Sequence, residues 1–336
     1  MRGMRSLEWF KRGVLVGQMK KIRVGVVGVG YLGQFHAEKY ANMPDVELVG
    51  VVDTDKERAE KVAGQVRSHS YCDFREIIGH VDAVSIAVPT PGHFAIGKQL
   101  LENDVDVLIE KPITTTLQEA DELIRISKAR NRYIQVGHLE RFNPAVSALE
   151  GLVNDPRFIE SHRLSIFKDR GTDVSVVLDL MIHDIDIILN LVASEISSIR
   201  AAGIPVITEH VDIANARLEF LNGCVANVTA SRISTKNERK IRLFQRDKYI
   251  SVDFANQDIT VIAKDGKRPG KVIPGMRIDR LNFAKGDALE EELKSFIQSV
   301  SHRSPPLIDG QEGREALRIA LEIMEQIHIT SYAHLD

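Results

Sequence analysis

Ile22-Arg23-Val24-Gly25-Val26-Val27-Gly28-Val29-Gly30-Tyr31-Leu32-Gly33 decides the architecture of this chain. A short β-branched run ends in G-x-G-x-x-G, and apolar residues then recur near a 3.6-residue spacing over Tyr31–Met43, so strand, tight turn and helix follow in order. In that context Gly28 serves the turn, Gly30 lets the backbone approach a pyrophosphate, and Gly33 lets helix and strand pack closely. The N–H groups opening the helix suit phosphate charge, and the turn residues Tyr31 and Leu32 belong to the same expected dinucleotide site. Asp53 closes the second strand, 20 residues after Gly33. A carboxylate there accepts hydrogen bonds from ribose hydroxyls and repels a 2′-phosphate, which favours NAD over NADP. Asp53 also has a helix-cap reading, for which Asp55 is the better candidate because Lys56–Gly64 reads as a helix.

The pattern repeats outward from this unit. Val46–Val52, Ala83–Val88, Val105–Ile109 and Tyr133–Val136 are nearly continuous in Val and Ile, as in parallel strands covered on both faces. Lys56–Gly64, His93–Glu102 and Leu117–Arg130 read as the intervening helices, and Ser68–Tyr71 as a further short strand. The alternation predicts a doubly wound α/β domain over 19–142. After Asn143-Pro144 the character changes. Phe158–Phe167, Ser197–Ile204, Val211–Phe220, Val225–Ile233, Lys240–Phe244, Tyr249–Phe254 and Ile259–Ala263 are strand-like, and Asn222-Gly223 is a hairpin signal. With one long helical segment, Val174–Val192, these seven strands predict an α+β domain over 143–310 with a mostly antiparallel sheet. Gly266–Lys285 reads as a long loop, Ala288–Val300 as a helix, and 311–336 as a C-terminal helix. Residues 1–18 read as a disordered basic extension ahead of Met19.

Composition narrows the functional classes. The 336 residues are 43% hydrophobic and 27% charged, with 44 Lys and Arg against 47 Asp and Glu. That balance speaks against a nucleic-acid binder. No apolar run is long enough to span a bilayer, and the extension lacks the features of a secretory signal. Two cysteines supply neither a disulfide framework nor a Cys-based zinc site, and no metal site is expected. A cytoplasmic location follows from these features.

Two further segments carry chemistry. Glu110-Lys111-Pro112 follows the strand Val105–Ile109, at the sheet edge where open α/β sheets place their ligands. A lysine there stabilises negative charge developing on a substrate oxygen. In Asp179-Leu180-Met181-Ile182-His183 the acid and the histidine are four apart, hence on one helical face. An imidazole beside a carboxylate suits proton transfer near neutral pH, and the carboxylate should raise its pKa above 6.5 unless burial opposes it.

With Gly28–Gly33 and Asp53, Pro89-Thr90 and His93, Glu110-Lys111-Pro112, and Asp179 with His183, the sequence resembles the Gfo/Idh/MocA family of NAD(P)-dependent oxidoreductases from Met19 to the last helix. The resemblance implies a Rossmann domain, and a second, largely antiparallel domain that closes over the nicotinamide and mediates homo-oligomerisation. It implies NAD as cofactor and a catalytic centre of Lys111, Asp179 and His183. Pro89, Thr90, His93 and Glu110 join the cofactor site. Val136–Pro144 and Asp173–Asp186 are similar to the subgroup that oxidises C3 of UDP-N-acetylglucosamine. A nucleotide-sugar diphosphate needs cationic or polar partners, for which Arg141, Asn143, Lys168, Arg170 and Arg232 are the candidates. Dehydrogenation of a free sugar, cyclitol or deoxysugar, and a non-catalytic NAD-binding sensor or scaffold, are the alternatives. Either Lys111 or His183 can be the base.

Overall fold

The computed structural model describes residues 21–168, 174–264, 275–284 and 286–332. The extension 1–18 and Arg170 therefore lie outside the described residues. The first sheet has six parallel strands: β1 (Ile22–Val27), β2 (Val46–Val52), β3 (His69–Tyr71), β4 (Ala83–Ile86), β5 (Asp106–Glu110) and β6 (Ile134–Gly137). Their spatial order is β3-β2-β1-β4-β5-β6. The order reverses between β1 and β4, and in open α/β sheets the crevice at that reversal holds the ligand. Helices α1 (Gly33–Asn42), α2 (Lys56–Val66), α3 (His93–Glu102) and α4 (Leu117–Arg130) connect the strands. Asp55 caps α2 by accepting the Arg58 N–H, and Thr116 with Glu119 forms a capping box at α4.

A short α5 (Pro144–Ser147) leads into the second unit. Its sheet has eight strands: β7 (Phe158–Leu164), β8 (Ile196–Ile204), β9 (Ile213–Phe220), β10 (Val225–Ser231), β11 (Glu238–Phe244), β12 (Lys248–Asp253), β13 (Asp258–Lys264) and β14 (Met276–Asn282). They lie in the order β14-β13-β12-β11-β7-β10-β9-β8. Pairing is antiparallel except between β7 and β10. β14 overturns part of the loop expected over Gly266–Lys285. It is an edge strand carrying Arg277, Asp279 and Arg280, and its exposed, charged pattern lacks the alternation that marks a half-buried strand.

The long segment between β7 and β8 differs from a single regular helix. A wide π turn spans Val177–Met181, where Ile182 N–H reaches Val177 O five residues back, and α6 (Ile182–Leu191) continues from it. α7 (Ala288–His302), grouped by the sequence pattern with the second domain, instead packs on the first sheet. Leu293, Phe296, Ile297 and Val300 share a core with Val24, Val26 and Val51. α8 (Gly310–Tyr332) is buried on both sides. Leu317 joins the core of β4 and β5, whereas Ala316, Ile319, Ala320 and Ile323 join that of the second sheet.

Candidate active site

The G-x-G-x-x-G turn fits a dinucleotide. Gly28 has φ +84°, and a Cβ at Gly33 would lie 1.8 Å from the Gly28 carbonyl oxygen, so neither position tolerates a side chain. A Cβ at Gly30 meets nothing within 4 Å, which leaves the backbone open to a close approach. A cavity of about 800 Å³ lies above this turn, lined by Gly28, Gly30, Tyr31 and Leu32, by Asp53 and Arg58, and by Val88 and Pro89 after β4. Asp53 is buried and held from several sides. Oδ2 accepts the Val29 N–H at 3.0 Å, Oδ1 accepts the Asp55 N–H at 3.0 Å, and Arg58 donates to both oxygens at 3.2–3.3 Å. Thr90 begins the short turn before α3. His93, expected at the cofactor, is 1% exposed, and its ring nitrogens lie 3.0 Å from Pro112 O and 2.9 Å from Val88 O. It braces the loop after β4 against the Glu-Lys-Pro turn rather than facing the cavity.

Lys111 stands just past β5, ahead of a cis peptide bond to Pro112. Its Nζ donates to the Asp179 carbonyl oxygen at 2.8 Å and lies 3.6 Å from the Asp179 carboxylate. Burial holds the ammonium below its usual range, with Asp179 and Glu110 working in the opposite direction. Glu110 turns away and meets the buried His36 at 3.1 Å. Burial opposes its ionisation, but His36, Lys111 and His93 together keep it below the usual carboxylate range.

The Asp179–His183 pair is arranged differently from the expected helical couple. Asp179 sits in the π turn and engages Lys111, while His183 lies one turn on in α6. His183 Nδ1 is buried without a protein partner. Burial first, then the positive charges of Lys111 and Arg163, push its pKa well below 6.5. A pKa raised by Asp179 is the expectation only where burial does not oppose it; burial does oppose it and is the largest cause of the lowering, with Lys111 and Arg163 acting in the same direction.

The candidate substrate cations separate. Arg141 is 7% exposed and committed to Asp186 at 3.5 Å and Glu312 at 3.3 Å. Asn143 caps α5 through the Ala145 N–H and donates to Phe254 O. Arg232 is buried and donates to Val174 O at 2.6 Å, beneath the start of the π-turn segment. Among the described candidates, Lys168 alone is exposed. Sequence reasoning missed Arg163. It points inward from β7 in alternation with Ile159 and Ser161, and binds Asp184 at 2.7 Å and Glu140 at 2.8 Å. That period-two pattern was the available signal.

Fold and site define a Rossmann-type oxidoreductase that uses NAD(P). Residues 22–138 match the model described as an oxidoreductase family with an NAD-binding Rossmann fold, and residues 145–251 match the Gfo/Idh/MocA C-terminal domain. The chain belongs to the Gfo/Idh/MocA oxidoreductase family. It is 40% identical over 307 residues to the UDP-N-acetylglucosamine 3-dehydrogenase of Acidithiobacillus ferrooxidans, which covers 91% of this chain and 97% of the relative. It is 30% identical over 326 residues to the scyllo-inositol 2-dehydrogenase (NAD(+)) of Bacillus subtilis, covering 90% and 92%. A solved structure of the Acidithiobacillus ferrooxidans enzyme superposes with a TM-score of 0.88 at 39% identity, covering 92% of this chain and 98% of that one. No described helix is long and apolar enough to cross a membrane, and no cluster of the described residues is suited to a metal ion.

Proposed function

We propose that this protein oxidises the C3 hydroxyl of UDP-N-acetylglucosamine to a ketone. The full-length likeness to a UDP-N-acetylglucosamine 3-dehydrogenase supports the substrate. The observation that carries the chemistry is the meeting of Lys111 with the Asp179 turn, one helical turn from His183. When bound, the dinucleotide supplies the nicotinamide that takes up the hydride. Lys111, held by Asp179, donates a hydrogen bond to the substrate oxygen and favours negative charge on it. His183, neutral at working pH, accepts the hydroxyl proton. Asp53 accepts the adenosine ribose hydroxyls and disfavours a 2′-phosphate, which makes NAD the preferred cofactor.

Self-association is assigned to the outward face of the second sheet. There the half-buried rings of Phe158, Phe244 and Tyr249 form a row with centroids 5.7 and 5.0 Å apart. Sedimentation velocity at dilute concentration should find an oligomer.

The substrate test is a panel of UDP-N-acetylglucosamine, free N-acetylglucosamine, other sugars and inositols, each with NAD. Reduced nicotinamide should form fastest with UDP-N-acetylglucosamine. A preference for the free sugar or for an inositol discards the nucleotide-sugar reading, and silence throughout, with NAD binding retained, favours a sensor.

A further inference from the structure

We infer that Arg239 binds the diphosphate of the substrate and so sets the preference for a nucleotide sugar over a free sugar. The inference deepens the nucleotide-sugar reading and rests on it. A diphosphate needs cationic donors that are not already committed within the protein. Arg141 is held by Asp186 and Glu312, and Arg232 donates to Val174 O. Arg163 is buried and held by Asp184 and Glu140.

Arg239 differs from these in place and in commitment. It lies on β11 directly opposite Arg163 of β7, so both side chains leave the same face of the sheet with Cβ atoms about 5 Å apart. That face is the inner one. Along β11, Leu243 and Ile241 are buried in the core that also holds Met181, Ile182 and Ile185 of the π turn and α6, and Arg239 is next in this alternating row. At Arg239 the row emerges from the core, and the side chain is 56% exposed. Arg163 ties the spot to the chemistry, since its Nε donates to Asp184 Oδ2 at 2.7 Å and Asp184 follows His183 on α6. Arg239 therefore stands at the solvent edge of the sheet face on which the catalytic helix packs.

Among the described residues the guanidinium of Arg239 has one bond, from Nη1 to Glu140 Oε1 at 3.4 Å, and that oxygen already accepts Arg163 Nη1 at 2.8 Å. Glu140 thus orients Arg239 without saturating it. Nε and Nη2 remain for an outside acceptor, and a planar guanidinium presents paired donors that match a phosphate. The two opposed arginines divide the work: Arg163 gives up solvent to hold Asp184 beside His183, whereas Arg239 keeps solvent and its donors. A contact to the diphosphate is remote from the reacting carbon, so it strengthens binding and leaves the chemical step alone.

The test is calorimetry with UDP in the presence of reduced NAD, on the unaltered protein, Arg239→Gln and Arg239→Lys, beside steady-state oxidation of UDP-N-acetylglucosamine. The glutamine variant should bind UDP roughly ten- to a hundredfold more weakly, the usual worth of a charge-assisted hydrogen bond. KM should rise by a similar factor while kcat stays within about threefold. Arg239→Lys keeps the charge but not the fork and should recover part of the affinity. Reduced NAD should bind all three proteins alike, and an intact unfolding transition identifies a folded variant; if only the lysine variant folds, its UDP affinity decides. Unchanged UDP affinity in a folded variant, an equal loss for reduced NAD, or a fall in kcat with KM unchanged overturns the assignment to Arg239. In those cases the nucleotide-sugar reading stands as long as the unaltered protein binds UDP; failure of the unaltered protein to bind UDP overturns both.

Discussion

The Lys111 ammonium is fixed by one residue through two groups, the main-chain carbonyl of Asp179 at 2.8 Å and its carboxylate at 3.6 Å. The contact joins the edge of the first sheet to the π turn of the second unit. It also satisfies a cation that burial disfavours.

Replacing either partner should therefore slow turnover by different routes. Lys111→Met removes the donor to the substrate oxygen and should lower kcat by about 10²–10⁴-fold. Asp179→Asn keeps the carbonyl contact and should cost less. Adding His183→Asn to Lys111→Met should cost less than the product of the single losses, because groups acting on one oxygen are not additive. Steady-state kinetics of the three variants and the double variant check this.

The pH profile assigns the base. His183 must be neutral to accept a proton, and its pKa lies well below 6.5. Oxidation should then stay level from neutral pH down past 6.5. A fall centred between neutrality and 10.5 would instead give the role to Lys111, whose amine must first lose a proton from a lowered pKa.

Asp53 should govern cofactor choice. Asp53→Ala removes a carboxylate acceptor and a charge opposed to a 2′-phosphate, so NAD binding should weaken by about 1.5–3 kcal/mol, the usual worth of a charged hydrogen bond. Affinity for NADP should fall less or rise. Calorimetry with both cofactors reads the change, and equal losses for the two would show that Asp53 does not discriminate.

Arg163→Met leaves Asp184 and Glu140 without their buried cation. The loss should be about 3–5 kcal/mol in chemical denaturation. Because Arg163 is one of the charges depressing His183, the acid limb of the rate should also move to higher pH.

The first sheet was legible because strands covered on both faces leave uninterrupted Val and Ile, and because the glycine turn has a single physical use. β14 was not, since a charged edge strand looks like a loop. The four-residue spacing of Asp179 and His183 suggested a regular helical couple; Asp179 instead sits in a π turn against Lys111, and no pattern of residue types announces an extra residue in a turn. Arg141 looked like a ligand group on charge alone, whereas its acids, Asp186 and Glu312, come from segments 45 and 171 residues away. Long-range pairing of that kind is invisible to spacing.

The packing of α7 has a consequence for the newborn chain. Strands β1 to β6 are complete by Gly137, yet one of the helices on that face, α7 beside α1 and α2, ends at His302. At ordinary elongation speeds roughly ten to thirty seconds separate the two. Throughout that interval the core of Val24, Val26 and Val51 has α1 and α2 but lacks Leu293, Phe296, Ile297 and Val300 of α7, so chaperone demand should concentrate on nascent chains between these two lengths.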